Sequence, residues 1–275
     1  MTSLPSLFIS HGAPTLALEP GRTGAALSAL GRDLPRPAAI LVASAHWETA
    51  RPAASIVSHP ETIHDFGGFP DELYRMTYPA PGAPDVARQA KDLLDAAGIG
   101  ADLDAGRGLD HGAWVPLRFL YPAADVPVTQ LSIQPRLTPA HHYRVGEALR
   151  PLRRAGVLIV GSGSLTHNLR ELNMSGAGPE PYAVEFQDWV YNAVSANDVA
   201  ALLDYRRRAP QAVRAHPTDE HLLPLFVALG AAGDSDSARR INDEITYGAL
   251  AMDTYAFGLA PHEAGTSLRH ESRVA

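Results

Sequence analysis

Residues 39–47 read AILVASAHW, an apolar β-branched run that ends in small residues and a histidine. Residues 157–167, VLIVGSGSLTH, and residues 6–11, SLFISH, have the same character. Along the chain such short runs alternate with longer helical patterns. This alternation predicts an α/β fold with a central, mostly parallel (mixed) β-sheet that is flanked by helices on both faces.

The predicted elements follow from these periodicities and from the turn residues between them. Residues 59–84 contain too many Gly, Pro and aromatic residues for a regular element. We therefore predict a long shaped loop there, and long ordered loops in compact domains are often functional. The predicted strands are Leu7–Ser10, Ala39–Ser44, Ala54–Val57, Val128–Ile133 and Val157–Gly161, and a last one runs through Tyr247–Tyr255. The predicted helices are Pro84–Ala97, Pro116–Tyr121, Pro139–Arg153, Tyr182–Val194 and Glu220–Leu229.

The composition narrows the class of protein. The 275 residues are 45% hydrophobic, which is enough for one large core, so we expect residues 1–275 to form a single catalytic domain with a polar tail after about residue 261. A net charge of −7 without a basic block argues against nucleic acid or a membrane as partner. The N-terminal stretch lacks the pattern of a signal peptide, and no apolar run is long enough to span a membrane, so the expected location is cytoplasmic.

The chain has no cysteine and 12 histidines. The absence of cysteine excludes disulfides, thiolate zinc sites, iron–sulfur clusters and a cysteine nucleophile. A transition metal would therefore need nitrogen and oxygen ligands, and the histidines are the main candidates for such ligands.

Three histidines follow predicted strands. They are His11, His46 and His167, and the carboxyl ends of parallel strands share one edge of a sheet, where ligands bind. Two more histidines are candidates for the same site. His221 lies in the first turn of a predicted helix, and His111 lies between an aspartate and a glycine. We expect this cluster to hold a metal, either zinc for hydrolysis or iron for dioxygen chemistry, and the spacing alone does not choose between them.

Other histidines and aromatic residues carry weaker signals. His64 begins the aromatic loop and is predicted to contact a substrate. His141 and His142 lie in a polar helical pattern and are predicted to be exposed. Trp47 and Trp114, each near a candidate histidine, are candidates for an aromatic wall.

Six blocks of sequence together resemble one known family. They are SHGAP (10–14), SAHW (44–47), TIHDFGGFPDELYRMTYPAPGAP (62–84), LDHGAWVPLRFLYPAADVPVTQLSI (109–133), GSGSLTHNLREL (161–172) and PTDEHLLPLFVALGA (217–231). In this order they resemble the DOPA 4,5-dioxygenase family, within the class III extradiol dioxygenases of the protocatechuate 4,5-dioxygenase β-subunit type. The resemblance covers residues 6 to about 230, and the HDFGGFP block is its most diagnostic part.

This resemblance implies roles for the histidines. His11 and His46 match metal ligands, and His221 matches the third ligand, with Glu220 beside it as a backup candidate. His167 matches a histidine next to the metal that acts as acid/base, or as a fourth ligand when zinc is present. His111 matches a histidine that hydrogen-bonds the substrate.

The resemblance also implies a reaction. A small catechol of the DOPA type and O2 would react at Fe(II), with Zn(II) as a possible occupant of the same site, and the ring would open beside the two hydroxyls to give a semialdehyde. A histidine can remove and return the proton at neutral pH. Two alternatives stay open: a zinc-dependent hydrolase that uses the same histidines, and a non-catalytic metal-binding relative. Nothing in the sequence indicates an oligomeric state.

Overall fold

The computed structural model of the protein describes residues 3–173, 175–176, 178–233 and 235–259. The predicted polar tail after about residue 261 lies outside this part of the chain. The strands are β1 (Ser6–Ser10), β2 (Ala39–Glu48), β3 (Ala53–Ser55), β4 (Asp102–Asp104), β5 (Val128–Ile133), β6 (Val157–Gly163), β7 (Ala238–Asn242), β8 (Ile245–Thr246), β9 (Leu250–Ala251) and β10 (Thr254–Phe257). The helices are α1 (Gly21–Asp33), α2 (Asp71–Arg75), α3 (Pro84–Ala96), α4 (His111–Leu120), α5 (Pro139–Leu149), α6 (Pro151–Arg154), α7 (Pro181–Ser195), α8 (Val199–Leu203), α9 (Tyr205–Arg208), α10 (Ala212–Ala215) and α11 (Leu223–Ala231).

Eight strands form one mixed sheet in the order β4-β3-β5-β2-β6-β1-β10-β7. The four central strands β5, β2, β6 and β1 are parallel. Strand β3 pairs antiparallel with β5 and parallel with β4, and β10 pairs antiparallel with both β1 and β7. Strands β8 and β9 form a separate two-stranded ribbon. The predicted α/β fold with a mostly parallel, mixed sheet is confirmed.

Helices cover both faces of this sheet. Along β2, Ile40 and Val42 belong to a core cluster that includes residues of α1 and α4. The alternating residues Leu41 and Ala43 belong to a second cluster with residues of α3, α5 and α11. Because successive side chains of a strand point to opposite faces, a strand covered on both sides reads as a continuous apolar run. That is why these strands could be recognised from sequence.

Several predicted boundaries were wrong for identifiable reasons. Helix α4 begins at His111 rather than Pro116, because the Asp110 side chain accepts a hydrogen bond from the Ala113 N–H and caps the helix. The predicted helix over residues 139–153 is interrupted before Pro151, which lacks an N–H and starts α6. Helix α11 begins at Leu223, not Glu220. The strand predicted through residues 247–255 is instead two short strands, β9 and β10, and a turn in which Tyr247 has a φ of 49° precedes them.

Glycines allow α11 to pack closely against both α5 and the sheet. A Cβ on Gly146 of α5 would lie 2.2 Å from the Val227 carbonyl oxygen, and one on Gly230 would lie 2.0 Å from the Tyr143 carbonyl oxygen. On β6, a Cβ on Gly163 would lie 2.1 Å from the His221 carbonyl oxygen. The absence of these side chains thus sets the position of α11 and of the residues just before it.

Replacing Gly230 by alanine is expected to lower the free energy of unfolding by about 1–3 kcal/mol, because the added methyl group overlaps the backbone of α5. Urea unfolding measures this change. The m-value should stay the same, which shows that the substitution altered the stability and not the surface exposed on unfolding. Gly106→Ala is the control, because its Cβ would meet only the Asp104 carboxylate, at 3.7 Å. Equal stabilities of the two variants would contradict the close helix contact.

No helix among the described residues is both long enough and apolar enough to cross a membrane.

Candidate active site

Three histidine side chains from distant parts of the chain meet at one point. His11 directly follows β1, His46 lies near the C-terminal end of β2, and His221 precedes α11. The Nε2 atom of His46 is 3.0 Å from Nε2 of His11 and 3.3 Å from Nε2 of His221. The ring nitrogens of the three residues therefore face a common point, the arrangement of a metal site built from imidazoles.

An oxygen atom faces the other ring nitrogen of each of these histidines. Nδ1 of His11 is 3.0 Å from the Ser162 hydroxyl, and Nδ1 of His221 is 2.9 Å from Glu220 Oε1. Nδ1 of His46 is 3.4 Å from Asp65 Oδ2. A histidine that donates its Nδ1 proton outward keeps the Nε2 lone pair for a metal. The donor set therefore fits a divalent metal such as Fe(II) or Zn(II), and Glu220 stands as an orienting partner of His221.

The buried setting keeps these imidazoles uncharged. Burial, followed by the charges of neighbouring histidines, lowers the pKa of His11 and of His221 well below the usual value. Burial is also the largest cause for His46, and with the His111 charge it lowers the pKa to about 4, although Asp110 and Asp65 act in the opposite direction. Neutral imidazole is the form that binds metals, so the site is ready for a ligand role at neutral pH.

Asp65 orients two site histidines at once. Its Oδ1 accepts hydrogen bonds from Nδ1 of His111 at 2.9 Å and from the His111 backbone N–H at 3.0 Å, while Oδ2 faces His46. Burial alone would raise the pKa of Asp65, but these hydrogen bonds and the charges of His111 and His46 lower it to about 2. Sequence reasoning missed Asp65, and the signal that could have found it is its place in the HDFGGFP block, the most diagnostic part of the family resemblance.

His167 lies against His221 rather than among the three converging nitrogens. The two rings stack with centroids 3.4 Å apart, and Nδ1 of His167 is 3.8 Å from Glu220 Oε1. Burial lowers the pKa of His167 to about 4, while the Glu220 charge opposes the shift. A neutral imidazole beside a carboxylate is suited to accept a proton.

A cavity of about 360 Å³ opens onto this cluster. His111 and His167 line it together with the three converging histidines, and so do Phe66 and Phe69. The expected wall of Trp47 and Trp114 was wrong. Trp114 is fully buried and its Nε1–H donates to the Ile63 carbonyl oxygen, and Trp47 lies beneath the Arg107 guanidinium at 5.3 Å.

Local contacts account for two further histidines of the described residues, His64 and His142. His64 Nε2 is 3.0 Å from the Met76 carbonyl oxygen, and the residue is not among those that line the cavity. Its contact with a substrate stays a prediction. The expected exposure of His142 was wrong, because this residue lies on the buried side of α5 and its Nε2 accepts a hydrogen bond from the Gln134 N–H.

Replacing Asp65 by asparagine is expected to lower metal affinity or kcat/KM by roughly 10–100-fold, the usual effect of losing a carboxylate behind metal-binding histidines. The amide would keep the size of the side chain but weaken its hold on His46 and His111. Steady-state kinetics and metal titration measure the two quantities. Asp71→Asn is the matched control, since Asp71 is 88% exposed and pairs only loosely with Arg75. Equal behaviour of the two variants would remove Asp65 from the site.

Comparison with known proteins agrees with the geometry. Residues 6–258 match the family described as the catalytic LigB subunit of aromatic ring-opening dioxygenase. The chain is 42% identical over 256 residues to a protein of Beta vulgaris named 4,5-DOPA dioxygenase extradiol, covering 92% of this chain and 96% of that protein. It is 38% identical to a protein of Escherichia coli K12 with the same name, covering 94% and 96%.

A solved structure shares the fold. The crystal structure of an uncharacterized protein from Escherichia coli K12 superposes with a TM-score of 0.77 at 32% identity, covering 93% of this chain and all of that one. These findings confirm extradiol ring cleavage as the class of reaction, and neither the hydrolase nor the non-catalytic alternative is favoured. The chain belongs to the LigB family of aromatic ring-opening dioxygenases.

Proposed function

We propose that this protein opens the ring of a DOPA-like catechol with O2 to give a semialdehyde, and that its active metal is Fe(II) held by His11, His46 and His221. The convergence of three neutral Nε2 atoms at 3.0 and 3.3 Å carries the proposal. Relatives whose names specify 4,5-DOPA support the class of substrate. Fe(II), when bound, supplies the redox chemistry that lets O2 react with a catechol and brings the two reactants together.

His167 is the residue that moves the proton in this proposal. One catechol hydroxyl must lose its proton before cleavage, and a proton must return later. Nδ1 of His167 faces Glu220, which leaves Nε2 to take the proton from the substrate. The Glu220 carboxylate then stabilises the protonated ring.

His111 orients the substrate in the same proposal. Its Nδ1–H donates to Asp65, so its Nε2 presents a lone pair and accepts a hydrogen bond from a catechol hydroxyl. Its ring centroid is 4.0 Å from that of His46 and 5.7 Å from that of Phe66. His111 thus stands between the proposed ligand His46 and Phe66, where a ring held at the metal would lie.

The test is reconstitution of the metal-free protein. Fe(II) is added without oxygen, DOPA follows, and air is admitted last. We expect a yellow product and uptake of one O2 per catechol. The same protein loaded with Zn(II) should bind the catechol without consuming O2, because zinc has no redox chemistry. Activity with zinc alone would contradict the choice of iron, and no O2 uptake with any catechol at Fe(II) would contradict the function.

A further inference from the structure

The cavity wall away from the histidines is apolar. Phe66 and Phe69 lie on one side, with ring centroids 5.4 Å apart, and Leu169, Leu172 and Leu250 also line the space. None of the described residues that line the cavity is Lys, Arg, Asp or Glu. A substituent that extends from a bound catechol ring would therefore meet hydrocarbon rather than charge.

The few hydroxyl groups on this wall are neutral, and two of them face each other. Thr15 Oγ1 is 3.2 Å from Tyr247 Oη. Tyr247 has a φ of 49°, which is uncommon for a residue with a bulky side chain, and the Asn173 N–H donates to its carbonyl oxygen at 2.8 Å. This pair can offer a substrate a neutral hydrogen bond, but it cannot neutralise an ammonium or a carboxylate.

On the basis of the proposed catechol cleavage, we infer that the ring substituent of the preferred substrate is uncharged and mainly apolar. An alkyl or aryl group buried on this wall gains from leaving water. A charged group there loses hydration without finding a partner of opposite charge. The cavity of about 360 Å³ falls within the usual range of small-molecule sites, roughly 300–1,000 Å³. DOPA, with both an ammonium and a carboxylate, is then a poorer substrate than its uncharged counterpart.

Four catechols that carry a side chain of two or three carbons at the same ring position test this inference. They are 4-propylcatechol, DOPA, 3-(3,4-dihydroxyphenyl)propanoate and dopamine. With the Fe(II) enzyme we expect kcat/KM for 4-propylcatechol to exceed that for DOPA by roughly tenfold or more, an effect at least as large as that of one methylene group in an apolar pocket. Calorimetric binding to the Zn(II) protein gives the same comparison without turnover.

A positive charge placed on the apolar side of the cavity tests whether these residues set the preference for uncharged substituents. Leu169 is 56% exposed, so Leu169→Arg should fold. The new guanidinium can pair with the carboxylate of the propanoate. We therefore expect kcat/KM for the propanoate to rise relative to 4-propylcatechol by roughly threefold, the usual strength of an exposed ion pair. Leu137→Arg is the matched control, because Leu137 is 42% exposed and lies outside the cavity.

The outcomes separate this inference from the proposed function. If DOPA binds and reacts as well as 4-propylcatechol, the apolar preference is overturned while catechol cleavage stands. If no catechol is turned over, the proposed function fails, and the binding comparison still decides the preference.

A second inference rests on an independent observation, a proline inside α4. Pro116 has no N–H, so the carbonyl oxygen of Gly112, four residues earlier, lacks its usual partner in the helix. That oxygen instead accepts the hydroxyl proton of Ser162. Ser162 is fully buried, and its Oγ lies 3.0 Å from Nδ1 of His11.

A serine hydroxyl has a single proton, so Ser162 cannot donate to both groups. Because it donates to Gly112, it must accept from Nδ1–H of His11, which leaves the His11 Nε2 without a proton and directed at His46. We propose that Pro116 is a positioning residue that fixes the metal-binding tautomer of His11 through Ser162. This proposal rests on His11 as a ligand.

Pro116→Ala tests this role. The restored N–H would compete for the Gly112 carbonyl oxygen, which frees Ser162 to donate to His11 and favours the wrong tautomer. We expect the Zn(II) dissociation constant to rise roughly 10–100-fold. The metal-free protein should be as stable as before or more stable, since proline is unfavourable inside a helix. A merely structural role would give the opposite pattern, with lower stability and unchanged metal affinity.

Two further measurements complete the test. Pro139→Ala is the control, because Pro139 begins α5, where no helical hydrogen bond is missing, and its metal affinity should not change. Nitrogen NMR of the imidazoles in the metal-free wild type should show His11 protonated at Nδ1. Protonation at Nε2, or an unchanged metal affinity of Pro116→Ala, would overturn the proposal.

Discussion

Replacing His46 by alanine is expected to abolish ring cleavage, with kcat/KM lower by roughly 10⁴-fold or more, because the reactants are no longer held together at one metal. His46 is the central member of the cluster, since its Nε2 is the atom within 3.3 Å of both other nitrogens. The variant should also retain little metal after dialysis, measured by elemental analysis, and should consume no O2 with a catechol.

The matched control for this variant is His59→Ala. His59 is exposed, and its Nδ1 lies 3.1 Å from the hydroxyl of its neighbour Ser58. We expect its metal content and its activity to equal those of the wild type. Circular dichroism shows whether His46→Ala has folded. A folded His46→Ala protein with normal metal content would contradict the proposed ligand set.

Replacing His167 by alanine is expected to have a different signature, in which the metal stays and turnover falls by roughly 10²–10⁴-fold, the usual contribution of a general acid or base. The ring of His167 stacks on His221 without joining the three converging nitrogens. Metal content and single-turnover kinetics distinguish the two effects. Imidazole added to the solution should restore part of the activity, because the missing side chain leaves space in the cavity.

Two results would change the role of His167. Normal turnover in His167→Ala would remove it as the acid/base residue. Loss of metal together with activity would make it a fourth ligand, the alternative that the family resemblance leaves open.

Sequence reasoning located the sheet and the histidines because both leave local signals. The run Val128–Ile133 was predicted with its true boundaries, since a strand covered on both faces is apolar throughout. Three of the histidines could be assigned to one edge because parallel strands end together. Edge strand β7, with the sequence ARRIN, was missed because two adjacent arginines interrupt its apolar pattern and most of it is only partly buried.

The parts that could not be predicted depend on contacts between distant residues. Asp65 belongs to a loop without periodicity, and only the folded loop brings it to His111, 46 residues away. His142 has polar neighbours in sequence, yet the Thr138 cap and the Gln134 backbone enclose it. Helix α1 has no side-chain hydrogen bond at its N-terminus, so no capping signal marks its start.

The close approach of β6 and α11 also has a meaning for the reactivity of the site. Gly163 carries its carbonyl oxygen to the His11 N–H at 2.9 Å, while the Ser164 N–H holds the His221 carbonyl oxygen at 2.8 Å. The contact at Gly163 therefore acts as a spacer that sets the gap between two proposed metal ligands. Even a single methyl group at Gly163 would push His221 away from His11. The packing of the core therefore sets the distance between two side chains that the proposed reaction needs side by side.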